Sequence, residues 1–215
     1  MSTGPVLVLA STSEARRRLV ARLGLDHVAV APTCDESALH GRTPDETALL
    51  RAFAKAESVR GMFPREAWIL GSDQVVDLDG RILGKPGTPE RACAQLAELA
   101  GRMHRLVTAV VVLGPDVRES RIAVSRMRMR ALGSEEIAAY VALDRPEHCA
   151  GSYKIEEHGR TLFTSIETSD ETAIEGLPLG LVSGMLGAFS ERSARWRGGG
   201  LAPAGAGPRA GSSTR

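Results

Sequence analysis

Asp73 and Lys85 stand on either side of a short turn signal, in the run Gly71-Ser72-Asp73-Gln74-Val75-Val76-Asp77-Leu78-Asp79-Gly80-Arg81-Ile82-Leu83-Gly84-Lys85-Pro86. The apolar residues entering Gly71-Ser72-Asp73 predict a buried strand that delivers a carboxylate at its C-terminal end. Asp79-Gly80 then predicts a two-residue hairpin, and Lys85 leaves the sheet near that same end. A carboxylate and an ammonium held together by rigid strands suit metal-assisted attack on a phosphate, where one activates water and the other offsets developing charge.

Three other segments carry matching chemistry. Ser11-Thr12-Ser13 followed by Arg16-Arg17-Arg18 predicts a strand-to-helix turn whose free N–H groups attract anions; a plain serine cap with a solvated basic face is the competing reading. Asp35-Glu36 falls in a polar loop and, with Asp73, offers oxygen ligands suited to Mg²⁺ or Mn²⁺; an exposed acidic loop is the alternative there. Arg51 and Lys55 are four residues apart, on a helix face distinct from the stripe of Leu49, Ala52, Phe53 and Ala56. The run from His148 through Cys149-Ala150-Gly151-Ser152-Tyr153-Lys154-Ile155-Glu156 is small and polar, as a ligand-contacting loop or a bland connection would be. No nucleophile setting surrounds Cys149, which reads as a small packed residue.

The elements that must position these groups follow from periodicity and caps. Strands are predicted over 6–10, near 27–31, over 106–113 and 118–129, and over 162–166. Helices are predicted from Ser13 to about residue 23, from Thr43-Pro44, from Thr88-Pro89 to about 99, over 134–143, and over 174–189 with a break at Leu177-Pro178. The pattern is mixed α/β. The expected organisation is one domain over residues 1–195, followed by a disordered tail rich in Gly, Pro and Ala over 196–215.

Composition bounds the partners. The 215 residues carry a formal net charge of only +1, which argues against a nucleic acid polymer as ligand. Three cysteines without CxxC spacing fit a reducing cytoplasm rather than a disulfide framework or a zinc site. No apolar run is long enough to span a membrane.

Taken together the segments resemble the Maf family of nucleoside triphosphate pyrophosphatases. The resemblance runs over about residues 6–189 and rests on Leu9-Ala10-Ser11-Thr12-Ser13 with Arg16-Arg17, Asp35-Glu36, Lys55, Gly71-Ser72-Asp73-Gln74-Val75, Asp79-Gly80 with Gly84-Lys85-Pro86, Gly101-Arg102 with Thr108, and Gly176-Leu177-Pro178. It implies a mixed, twisted sheet in two lobes flanked by helices, with a central nucleotide-binding cleft as in Maf and ITPase-like proteins, and cleavage of a triphosphate between its α and β phosphates. By the same resemblance Asp73 is the proton acceptor and Ser11, Arg16, Arg17, Lys55 and Lys85 bind substrate, while Glu36 and Asp73 hold a divalent cation, Mg²⁺ or Mn²⁺. Ala15, Gln74 and Glu156 stand at specificity positions. Gln74 after the aspartate and Glu156 look like the branch acting on 7-methyl-GTP, whereas the dTTP/UTP branch usually has threonine and glutamine there. A carboxylate offers two acceptors to the adjacent donors of guanine. The chain departs from the branch at Glu14, where proline is usual, and at Ala15, where a large side chain is usual. A dTTP/UTP or broad-specificity pyrophosphatase, and a non-catalytic nucleotide-binding regulator of cell division, stand as alternatives. A homodimer is compatible with all three.

Overall fold

In the computed structural model the described residues are 6–191; the tail expected over 196–215 lies outside them. One seven-stranded sheet runs through the molecule in the order β2-β1-β3-β5-β6-β7, with β4 paired to β3. The strands are β1 (Leu7–Ala10), β2 (His27–Val30), β3 (Trp68–Leu78), β4 (Arg81–Leu83), β5 (Met103–Leu113), β6 (Arg118–Met129) and β7 (Phe163–Glu167). Strands β2, β1 and β3 are parallel, and every pairing from β3 through β5 and β6 to β7 is antiparallel.

The helices are α1 (Glu14–Ala21), α2 (Pro44–Arg60), α3 (Pro89–Leu99), α4 (Ser134–Asp144), α5 (Glu171–Ile174) and α6 (Leu179–Met185). Three of them start on a hydroxyl cap that accepts a backbone N–H of the first turn: Ser13 for α1, Thr43 for α2 and Thr88 for α3. Proline follows at the first helical position of α2 and α3, where its missing N–H costs nothing. The helix expected over 174–189 is instead two short helices. Leu177 precedes a proline and is therefore pushed out of helical backbone, so the chain breaks at Gly176 and restarts after Pro178.

Apolar side chains gather in three clusters. Leu7, Leu9, Trp68, Leu70, Val110 and Val112 on one sheet face pack against Leu19 and Val20 of α1 and Val182 and Met185 of α6. Val8, Ile69, Val75, Val107 and Val111 on the opposite face pack against Ala48, Ala52, Ala56 and Val59 of α2. A third cluster at the far end joins Val76, Leu78 and Leu83 to α3, α4, Tyr153 and Leu162. Small residues on α2 let the helix lie close to the sheet. A Cβ at Gly71 would fall on the Ala52 carbonyl oxygen and lie 2.9 Å from the Ala56 Cβ.

Asp73 is not at a strand end, as expected, but in the middle of β3. The strand changes partner beneath it: β1 pairs with β3 only as far as Gly71, and β4 begins only at Val76, while β5 stays paired throughout. Residues 72–75 therefore have a neighbouring strand on one side only, and the carboxylate emerges into that gap.

Candidate active site

A cavity of about 810 Å³ opens over this gap. Its wall includes Ser11 of the β1–α1 turn, Ala15 and Arg16 of the first turn of α1, Glu36, Lys55 of α2, Asp73 and Gln74 of β3, Lys85 and Glu156. Of the ten residues to which the resemblance gives a role at the site, Arg17 alone is left outside the wall, exposed on α1. Neighbouring positions on a helix point about 100° apart, so Arg16 and Arg17 cannot serve one site equally.

At the centre lies a coupled set of charges. Lys55 is 8% exposed and Asp73 6%. The Lys55 ammonium donates to Asp73 Oδ1 at 2.6 Å and is ion-paired with Glu36 Oε2. Strand periodicity explains the meeting: Ile69, Gly71, Asp73 and Val75 share the face that α2 covers, and the absence of a side chain at Gly71 lets Lys55 arrive within hydrogen-bond distance. Glu36 is placed by Asp35, whose carboxylate caps the short 3₁₀ turn by accepting Ser37 N–H at 3.0 Å and Ser37 O–H at 2.6 Å. Burial opposes charge on Glu36, but the hydrogen bond from Lys55 and the charges of Lys55, Lys85 and Arg16 outweigh it, leaving its carboxyl below the ordinary range. Burial also lowers Arg16, partly offset by Asp73 and Glu36. A guanidinium stays protonated there all the same.

Asp73 Oδ2 is buried and has no hydrogen-bond partner. An orphaned carboxylate oxygen is costly unless something supplies a proton or a cation to it. Hard oxygen donors of Glu36 and Asp73 fit a divalent cation of the Mg²⁺ or Mn²⁺ kind, so the residues present suit such a group.

Around this centre runs a frame of hydrogen bonds that sequence reasoning did not foresee, although it named most of the residues in it. The Gly176 carbonyl accepts Arg16 Nε–H at 2.8 Å and Ser72 O–H at 2.9 Å. Gln74 Nε2 donates to Thr108 Oγ1 at 2.8 Å and to the Ala173 carbonyl at 2.9 Å. The amide hydrogens of Gln74 thus hold the end of α5, and Gly176 just beyond it accepts from Arg16. On the other wall, Tyr153 shares a hydrogen bond with His104 Nε2 at 2.9 Å and packs edge-on against Phe163. Burial, opposed only by the charge of Asp77, lowers the His104 pKa to about 4, so the ring is neutral. The Cys149 thiol is pushed up by burial and by Glu156, against the pull of Lys154 and Lys85, which keeps it protonated and poorly nucleophilic.

Among the described residues one other group has metal-ligand character: Asp144, Glu157 and His158 have ligand atoms within 4.8 Å of one another. These groups already fix the turn beyond Glu156. Asp144 accepts His158 N–H at 3.1 Å and faces His158 Nδ1 at 2.6 Å, and Glu157 pairs with Lys154 at 3.2 Å. No helix among the described residues is long and apolar enough to cross a membrane.

Comparison with known proteins finds relatives over most of the chain. The chain is 48% identical over 183 residues to a protein of Xanthomonas campestris pv. campestris (strain 8004) named 7-methyl-GTP pyrophosphatase, covering 85% of this chain and 95% of that one. It is 43% identical over 175 residues to a protein of the same name from Bdellovibrio bacteriovorus, covering 80% and 91%. Among solved structures, the Staphylococcus aureus Ham1 protein matches with a TM-score of 0.46 at 16% identity, over 86% of this chain and 99% of that one. The model of the family described as Maf-like protein matches residues 6–189, and the chain belongs to that family of nucleotide pyrophosphatases.

Proposed function

We propose that this protein hydrolyses 7-methyl-GTP between its α and β phosphates, giving 7-methyl-GMP and pyrophosphate. The observation that carries the reading is the buried, unpaired Oδ2 of Asp73, set beside Lys55 and facing a cavity that also holds Arg16, Glu36 and Lys85. In this mechanism Asp73 Oδ2 accepts a proton from the attacking water as its oxygen bonds to the α-phosphorus. The bond from that phosphorus to the bridging oxygen breaks, and Arg16, Lys55 and Lys85 meet the charge left on pyrophosphate. Glu36 and Asp73 are the residues that would hold the divalent cation. When bound, it supplies Lewis-acid polarisation of the phosphoryl oxygens.

Glu156 supports the choice of base. It lines the same cavity and offers two acceptors to the N1–H and exocyclic amine of guanine, while its charge favours the cationic methylated ring. Ala15 and Gln74 lie on that wall as well, with Gln74 acting through the segment it holds. The free thiols of Cys34, Cys93 and Cys149 fit a cytoplasmic setting.

The test is pyrophosphate release from 7-methyl-GTP, GTP, ATP, dTTP and UTP by the purified protein, with and without EDTA. Turnover should be fastest with 7-methyl-GTP and stop with chelator. A preference for dTTP or UTP would overturn the base assignment, and nucleotide binding without any pyrophosphate release would overturn the catalytic one.

A further inference from the structure

Gln95 takes no place in the cavity wall, yet its amide joins two segments that do. From α3, its Nε2–H donates to the Gly84 carbonyl at 3.0 Å and its Oε1 accepts the Ser152 hydroxyl at 2.6 Å. The orientation of the amide is fixed by chemistry, because a carbonyl can only accept and so must face the NH₂ end. The first segment places Lys85 immediately after Gly84. The second carries Tyr153, Ile155 and Glu156 into the wall.

The Ser152 end needs holding. Ser152 is fully buried, and its φ of 62° lies in the left-handed region that a side chain disfavours; Gly151 before it has a φ of 75°. Such backbone persists only where its surroundings over-determine it, and among the described residues the Ser152 side chain is held by its bond to Gln95.

We infer that Gln95 is a positioning residue: its single planar amide anchors the Lys85 turn by one end and the Ser152–Glu156 segment by the other to α3, so one side chain outside the site bears on both phosphate binding and base discrimination. The inference rests on reading the cavity as a nucleotide pyrophosphatase site, with Lys85 at the phosphates and Glu156 at the base.

The two halves of the amide can be tested separately. Gln95→Glu keeps an acceptor for Ser152 but sets an oxygen against the Gly84 carbonyl. Ser152→Ala keeps the Gly84 bond and removes the other. Gln95→Ala removes both. Calorimetric binding of inorganic pyrophosphate reports the phosphate end, and the affinity ratio of 7-methyl-GMP to GMP reports the base end. Pyrophosphate release by the wild-type protein is measured alongside.

Displacements of a fraction of an ångström should produce changes of about tenfold. Gln95→Glu should weaken pyrophosphate by about that factor and leave the base ratio within about twofold. Ser152→Ala should do the reverse, and Gln95→Ala should do both. If all three variants lower the melting temperature while both binding measures stay at wild-type values, Gln95 is only a structural residue and the inference falls. It falls equally if Gln95→Glu and Ser152→Ala give the same profile. Wild-type protein that binds both ligands but releases no pyrophosphate would overturn the catalytic reading alone, with the variant ratios still deciding the positioning role.

Discussion

Acid should destabilise this protein through His104 before it titrates most of the carboxylates. The imidazole is 2% exposed beneath the cavity wall, with Nε2 bonded to Tyr153 and Nδ1 without a partner. Burial, opposed only by Asp77, takes its pKa from 6.5 down to about 4. Between those values the unfolded chain binds a proton that the folded one refuses, so stability falls as pH falls through that window and is fully present above 6.5. The whole shift corresponds to about 3 kcal/mol, of which about 2 kcal/mol is lost between pH 7 and pH 5. Gln in place of His104 keeps a polar group near the Tyr153 hydroxyl and removes the titration. Urea denaturation of both proteins at pH 7 and pH 5 measures the difference, because carboxylate contributions common to both cancel. The wild-type protein should lose about 2 kcal/mol more than His104→Gln. Parallel losses in the two proteins would refute the linkage.

Further outcomes follow from the same geometry. Asp73→Asn removes the proton acceptor and should lower kcat roughly 10²- to 10⁴-fold, read by pyrophosphate release; wild-type turnover would exclude the role. Gly71→Ala puts a methyl group on the Ala52 carbonyl oxygen and should cost roughly 1–3 kcal/mol in denaturant unfolding. The same substitution should also depress kcat, because it pushes Lys55 away from Asp73. Glu156→Gln removes the charge that favours the cationic methylated ring and should reduce the preference for 7-methyl-GTP over GTP roughly tenfold, the weight of one charge–charge contact at the edge of a cleft; an unchanged ratio would place recognition of the methylated ring elsewhere.

Much of the scaffold was legible from local chemistry. Hydroxyl caps followed by proline mark the starts of α2 and α3, and Asp79-Gly80 turns with φ of 52° and 87°, the backbone that the pair permits. The same reading placed Lys85 near Asp73, and the two line one cavity. What stayed hidden was set by partners distant in sequence. Asp73 at mid-strand depends on where β1 stops and β4 starts, and neither limit leaves a mark near residue 73. Arg17 could have been set apart from Arg16 by helical geometry alone. Gln95 carried no local signal, since a glutamine on a half-buried helix face looks like any solvated one until Gly84 and Ser152 are placed beside it.

Lys55 gives the resting protein an internal counter-ion. With its ammonium shared between Glu36 and Asp73, an incoming triphosphate exchanges one anionic partner for another and does not meet a bare cation. The attraction felt at the mouth of the cleft is then weaker than a tally of its basic groups implies, and the dependence of nucleotide affinity on added salt should be correspondingly shallow.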